Sequence, residues 1–111
     1  MTATENMGDS VFIESFGDSP INRLLDFFII FGDFDYSLTD IASKANIGYS
    51  TLKILIKKLE KIGFVIQSRS VGKSKMYKLN TENKLVNKFI NFYWDITKEN
   101  IHGTILEEIA V

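Results

Sequence analysis

The chain has 111 residues, of which 45% are hydrophobic and 13% aromatic, so its length and composition predict one domain with a buried core. It has no cysteine and a single histidine, His102, which excludes a disulfide framework, a thiolate metal site and a cluster of histidine ligands. The longest apolar run is far shorter than the roughly 18–20 residues of a membrane span, and the polar start lacks the pattern of a secretory signal. We therefore expect a cytoplasmic protein without a metal or a cofactor.

The net charge of −1 conceals a strong segregation of charge along the chain. Residues 1–40 carry eight acidic side chains and one basic, residues 41–80 carry nine basic and one acidic, and residues 81–111 carry five acidic and three basic. A dense basic block in a small domain is typical of a protein that binds a polyanion, although a solvated lysine-rich surface has the same composition. The position of the lysines in the fold has to decide between the two.

The first third of the chain predicts an extended segment and then a helix. Residues 11–16 are β-branched and aromatic and could form a strand or an extended arm. Asp18 or Ser19 can then cap a helix that has Pro20 in its first turn and apolar residues at helical spacing as far as Gly32.

The middle of the chain predicts two helices joined by a tight turn. A brief extended piece leads to Ser37, which resembles a capping box with Asp40 and should begin a short helix that ends around Asn46. After a glycine-bearing turn, a third helix should follow and close at Gly63, a residue suited to a left-handed cap.

The last part of the chain predicts a β-hairpin and a long helix. Residues 64–70 and 75–80 have the composition of two strands, with the hairpin loop between them. A long helix follows, with Thr81 as its expected cap.

The tripeptide Gly72–Lys73–Ser74 also ends the phosphate-binding loop of nucleotide hydrolases, but the rest of that motif is missing. The loop requires a glycine five residues before Gly72, where this chain has Gln67, and a helix after the serine, where this chain has a strand pattern. Because the sequence also has no nucleophile–base or paired-carboxylate pattern, we do not expect an enzyme.

Taken in order, these elements resemble the winged helix-turn-helix of MarR/ArsR-like transcription regulators. The resemblance covers about residues 12–95, and residues 16–42 are similar to the lead-in of small archaeal regulators. It implies an α+β, mainly helical fold with a flexible segment at 1–10, a winged helix-turn-helix domain at 11–80 and a C-terminal dimerisation helix and tail at 81–111.

The third helix has an apolar stripe and a basic face. The apolar stripe, which should face the core, consists of Leu52, Leu55, Ile56, Leu59 and Ile62. The resemblance implies that the opposite face enters the major groove of DNA. The residues that it assigns to DNA binding are Tyr49, Ser50, Thr51, Lys53, Ile54, Lys57, Lys58 and Lys61.

Several roles on that face stay open. Lys53 and Lys57 could reach guanine edges or phosphates, whereas Lys58 and Lys61 should follow the backbone. Ile54 could contact a thymine methyl group, contact a partner protein or simply be tolerated at the surface. Tyr49 could donate its hydroxyl to a phosphate or pack on the turn. The helix has no arginine, which argues against bidentate recognition of guanine.

The resemblance also implies roles for the hairpin and the last helix. The hairpin, or wing, should contact the DNA backbone or minor groove through Arg69, Lys73 and Lys75. The last helix has a wider apolar surface than one small core needs, which favours a second copy as its partner, with packing against residues 11–16 and the first helix as the alternative. The residues expected at the dimer interface are Leu85, Phe89, Phe92, Tyr93 and Ile96. His102 is expected to be structural or exposed.

The sequence therefore predicts a homodimeric, sequence-specific double-stranded DNA-binding protein that regulates transcription. The alternative is a winged helix that contacts proteins instead of DNA. Lysines that run from the third helix to the wing favour DNA, because a protein contact has no need of them. We expect the acidic first third of the chain to point away from the DNA.

Overall fold

The computed structural model describes the backbone of residues 9–110 and the side chains of residues 9–100. The segment predicted to be flexible therefore lies almost wholly outside the described residues, as do the side chains of His102 and the tail. The elements are α1 (Val11–Phe16), α2 (Pro20–Ile30), β1 (Tyr36–Ser37), α3 (Leu38–Ala45), α4 (Tyr49–Lys61), β2 (Val65–Val71), β3 (Ser74–Leu79) and α5 (Lys84–Ala110). The predicted mainly helical winged helix-turn-helix with a long last helix is confirmed.

Residues 11–16 form helix α1, so the prediction of a strand or an extended arm is wrong. The Ser10 side-chain oxygen accepts a hydrogen bond from the Ile13 backbone N–H at 3.1 Å, which caps the helix. Phe12 and Ile13 are buried against α5, where the Phe12 ring lies 5.7 Å from the ring of Tyr93. A run of six residues is too short for its apolar spacing to distinguish a helix from a strand, so the packing decides.

The predicted starts of α2 and α3 are confirmed. The Ser19 side chain accepts from the backbone of Asn22, with Pro20 in the first turn, and the Ser37 side chain accepts from the backbone of Asp40. Helix α3 ends at Ala45 and is capped by Asn46, whose φ of 55° is the only positive value among the non-glycine residues described. That left-handed residue makes the tight turn into α4.

The start of α5 differs from the prediction. The cap is Asn83 instead of Thr81: the Asn83 side-chain oxygen accepts from the Leu85 backbone N–H at 2.8 Å. The amide nitrogen of Asn83 also donates to the carbonyl of Gly63 at 2.9 Å. Asn83, and not Thr81, therefore caps α5 and links its start to the residues that follow α4.

The main core lies between α2, α3, α4, the sheet and the first part of α5. Its fully buried members include Leu24, Phe28, Ile41, Leu52 and Val86. Ile62, predicted for the core stripe, is 53% exposed because α4 ends at Lys61 and Ile62 no longer follows the helical spacing.

The sheet has three antiparallel strands in the order β1-β3-β2. Val71 pairs with Ser74, so Gly72 and Lys73 form a two-residue hairpin loop in which Gly72 has φ 60°. A glycine with positive φ in the first loop position suits a type II′ turn, and the predicted hairpin is confirmed. The pairing shifts between Gln67 and Arg69, which leaves Ser68 as the extra residue of a β-bulge.

No helix in the described part of the chain combines the length and the apolar character that crossing a membrane requires.

Candidate nucleic-acid interface

Helix α4 has a buried apolar stripe on one side and an exposed face on the other. Leu52, Ile56 and Leu59 are at most 5% exposed and seal the core. All eight residues of this helix that the sequence assigns to DNA binding are exposed: Tyr49, Ser50, Thr51, Lys53, Ile54, Lys57, Lys58 and Lys61. The other three predicted residues, Arg69, Lys73 and Lys75, lie on the wing.

The amino end of α4 is open. The preceding residue, Gly48, has no side chain to cap it, and the first turn contains no acidic residue. The first N–H groups of a helix point outward and carry partial positive charge, so an anion is favoured there.

Tyr49 and Lys53 form a pair across the first two turns of α4. The Lys53 ammonium lies 5.8 Å from the centre of the Tyr49 ring, a cation–π distance. The Tyr49 side chain is about half exposed, at 49%. Both side chains therefore remain accessible from solvent.

Two clefts connect α4 to the wing. The first, called here the tip cleft, has a volume of about 200 Å³ and joins the start of α3, Tyr49 and the wing. It is lined by Ser37, Leu38, Thr39, Tyr49, Lys73, Ser74, Lys75 and Tyr77. Its charged side chains are the two lysines, both from the wing.

The second cleft, called here the helix–wing cleft, has a volume of about 220 Å³. Lys53 and Lys57 of α4 and Lys75 of β3 all line it. Its acidic residue, Glu60, accepts a hydrogen bond from the Gln67 side chain at 3.2 Å. Three of the predicted basic residues thus lie around one depression, although they come from two separate elements.

Arg69 is held differently from the wing lysines. Its Nε and Nη2 atoms donate to the two carboxylate oxygens of Asp35 at 2.8 and 3.2 Å, and the Ser68 hydroxyl donates to the same carboxylate. These hydrogen bonds, first that of Arg69 and then that of Ser68, lower the pKa of Asp35 from 3.8 to about 2. The same pair raises the pKa of Arg69.

Asp35 belongs to the acidic first third of the chain, which we expected to point away from the DNA. Its carboxylate contacts the wing directly. Nothing in the local sequence marks this contact, since Asp35 and Arg69 are 34 residues apart. The tertiary fold brings them together.

The residues predicted for a dimer interface divide into two groups. Tyr93 is 1% exposed and packs on α1 of its own chain, so its assignment to the interface is wrong. Its hydroxyl donates to Asp26 at 2.7 Å, and burial raises its pKa. Phe89 and Ile96 are partly buried in the same cluster, as the alternative interpretation of this helix expected.

The second group stays at the surface. Leu85 is 51% and Phe92 is 41% exposed, and the Phe92 ring lies 5.7 Å from that of Phe16, which is 56% exposed. Trp94 is also 44% exposed.

A larger cavity, of about 450 Å³, shares no lining residue with the two clefts. It lies among α1, α2 and the end of α3 and has both acidic and basic residues in its wall, including Asp26, Arg23 and Lys44. Within the described part of the chain, no group of three acidic or histidine side chains is arranged to hold a metal ion.

Comparison with protein-family models and with curated protein sequences finds no match to this chain. Solved structures, in contrast, are similar to it over most of its length. A double mutant of ZitR from Lactococcus lactis in apo form matches with a TM-score of 0.60 and 12% identity, over 100% of this chain and 84% of that one. The adhesin competence repressor AdcR from Streptococcus pyogenes matches with a TM-score of 0.57 and 16% identity, over 96% and 80%.

Wild-type ZitR in complex with DNA is also similar, with a TM-score of 0.53 and 15% identity. That match covers 74% of this chain and spans 57% of the ZitR chain. At these identities the likeness establishes the fold. The chain therefore shares the fold of ZitR and AdcR, and its own elements make that fold a winged helix-turn-helix.

Proposed function

We propose that this chain is a sequence-specific double-stranded DNA-binding protein that regulates transcription. One observation carries the proposal: Lys53 and Lys57 of α4 and Lys75 of the wing line the same cleft. A solvated surface gives no reason for lysines of separate elements to converge, whereas a bound polyanion favours it. The solved complex of ZitR with DNA supports the same function for this fold.

Helix α4 is proposed to lie in the major groove. That groove is about 12 Å wide and admits one α-helix. Its base edges would be met by the amino-terminal half of α4, from Tyr49 to Lys57, and the phosphate backbone by Lys58 and Lys61. Ile54 is 60% exposed in the middle of this face, where a thymine methyl group would cover it.

The wing is proposed to contact the adjacent backbone or minor groove through Lys73 and Lys75. Both line the tip cleft beside the open amino end of α4, so a phosphate there would meet two positive charges and free N–H groups. Arg69 is part of the predicted set, but its guanidinium is already paired with Asp35.

A second copy of the chain is proposed to cover the surface formed by Phe16, Leu85 and Phe92, all of which are at least 41% exposed. A two-fold dimer of this kind would read two half-sites about one helical turn, or 10 bp, apart. The cytoplasmic location and the narrower similarity to small archaeal regulators belong to the same proposal.

The test is fluorescence anisotropy of a labelled mixed-sequence duplex over a salt series. We expect binding at low salt whose logarithm falls linearly with log salt, by about 0.9 for each phosphate neutralised. The variant Lys53→Ala/Lys57→Ala should reduce that slope, whereas Lys98→Ala, an exposed lysine of α5, should not. Absence of binding at low salt would overturn the proposal.

That negative result would favour the alternative, a winged helix that contacts proteins. Ile54 is the observation in its favour, because an isoleucine that is 60% exposed among lysines also suits a protein partner.

A further inference from the structure

Asp35 joins the wing to the segment that precedes β1. Asp35 accepts hydrogen bonds from Nε and Nη2 of Arg69 and from the hydroxyl of Ser68. The Asp35 side chain is only 16% exposed, whereas that of Arg69 is 63% exposed. A two-pronged arginine–carboxylate pair has a fixed geometry, so it constrains orientation as well as distance.

The β-bulge makes this arrangement possible. In a regular strand the side chains of Ser68 and Arg69 would point to opposite faces of the sheet. Because Ser68 is the extra residue between the Gln67–Tyr77 and Arg69–Met76 pairs, both side chains reach the same carboxylate. A bulge at this position therefore serves the contact with Asp35.

Asp35 also lies next to the segment that connects the wing to α3. It directly precedes β1, which pairs with β3 through Tyr36 and Tyr77. Ser37, two residues after Asp35, caps α3 and lines the tip cleft together with Lys73 and Lys75. The carboxylate thus joins the base of the wing to the segment that forms the other wall of that cleft.

We infer that Asp35 is a positioning residue for DNA binding, which holds the wing in register with α4 through Ser68 and Arg69. The Arg69 charge is neutralised by Asp35, so the phosphate contacts of the wing fall mainly to Lys73 and Lys75. This inference rests on the proposed function and adds a residue of the acidic first third to the interface.

A positioning role for Asp35 and simple electrostatics predict opposite changes in DNA affinity when Asp35 is neutralised. Removing an acidic side chain from a DNA-binding surface normally strengthens binding, because repulsion of the phosphates is lost. If Asp35 positions the wing, its neutralisation weakens binding instead. Asp33 provides the matched control, since it is two residues away, exposed, and forms no ion pair in the described part of the chain.

The experiment compares Asp35→Asn with Asp33→Asn by anisotropy on the duplex that the wild type binds. We expect Asp35→Asn to lower affinity by about three- to fivefold, the range of a well-formed surface ion pair, with the salt slope unchanged. Asp33→Asn should leave affinity within about twofold or raise it. Equal gains in affinity from both variants would overturn the inference, because Asp35 would then only compete with phosphate.

A double-mutant cycle that combines Asp35→Asn with Arg69→Gln measures the contribution of the Asp35–Arg69 pair to binding. If Arg69 acts through Asp35, the double variant Asp35→Asn/Arg69→Gln should bind no more weakly than either single variant. Additive losses, together with a smaller salt slope for Arg69→Gln, would identify Arg69 as an independent phosphate ligand and would contradict the inference.

Hydrogen exchange of the wing amides without DNA separates this inference from the proposed function. We expect residues 65–79 to exchange faster in Asp35→Asn than in Asp33→Asn, with thermal unfolding confirming that both variants fold. Equal exchange in the two variants would reject the positioning role even if the protein binds DNA. Lack of DNA binding by the wild type would reject the proposed function. Hydrogen exchange of residues 65–79 would still test whether Asp35 holds the wing.

Discussion

At the scale of single residues, three basic side chains of the wing have different electrostatic surroundings. Lys73 and Lys75 line the tip cleft, where the charged side chains are their own, whereas Arg69 has a carboxylate on two of its nitrogens. The sequence places all three on one hairpin and gives no means of telling them apart. The difference arises from Asp35, which only the tertiary structure brings to Arg69.

The pKa of Asp35 leads to a prediction of pH dependence. The hydrogen bonds from Arg69 and Ser68 lower this pKa from 3.8 to about 2, so the carboxylate stabilises the folded protein wherever it is ionised. This contribution is complete above pH 3.8 and is lost as the pH falls through 2. We expect the difference in unfolding free energy between wild type and Asp35→Asn to be constant above about pH 4 and to shrink below it.

The measurement is urea unfolding of both proteins from pH 2 to pH 6, with Asp33→Asn as the control for general charge effects. A difference that changed between pH 5 and pH 6 would assign the effect to another group and contradict the role of Asp35.

At the scale of elements, most helices follow from local signals and α1 does not. Ser19 with Pro20, and Ser37, are strong local starts, and the apolar spacing of α2 and α4 leaves little choice of structure. In α1 the local sequence is compatible with both a helix and a strand, and burial of Phe12 against α5 favours the helix. The same lack of non-local information led to the wrong placement of Tyr93, whereas Ile62 was misplaced because the helix ends one residue before it.

The junction of α4, β2 and α5 depends on one glycine. Gly63 has φ 77°, a conformation that other residues adopt only with strain, and a Cβ there would lie 2.7 Å from the amide nitrogen of Asn83. The carbonyl of Gly63 accepts from both Asn80 and Asn83. We expect Gly63→Ala to lower the unfolding free energy by about 1–3 kcal/mol, from backbone strain and displaced hydrogen bonds.

The control is Gly48→Ala, because Gly48 has negative φ and nothing within 4 Å of an added Cβ. Its effect in the same urea titration should stay within about 0.5 kcal/mol. Equal losses from the two substitutions would show that the Gly63 junction has no special role.

At the scale of the whole molecule, α1 and α5 leave an apolar surface exposed. Phe16 and Phe92 contact each other and both remain at least 41% exposed. The excess of apolar residues on the last helix was predictable from its sequence, but their division between core and surface was not. This division depends on α1, because Phe12 and Ile13 of α1 bury Tyr93 and part of Phe89.

We expect the protein to sediment as a dimer and Phe92→Glu to shift it toward the monomer, because a charge would be buried in the interface. Asn91→Glu, at the adjacent exposed position, should leave the dimer intact. A dimer that withstood Phe92→Glu at micromolar concentration would locate the interface elsewhere.

The central claim, that α4 reads bases while the wing holds the backbone, is tested most directly by selecting bound sequences from a random duplex library. The wild type should enrich a two-fold symmetric site, and Lys73→Ala should enrich the same site with weaker binding overall. Ile54→Ala should change the preferred base at one position of each half-site, because a thymine methyl contact is lost. Enrichment of no site by the wild type, or of an identical site by Ile54→Ala, would contradict the claim.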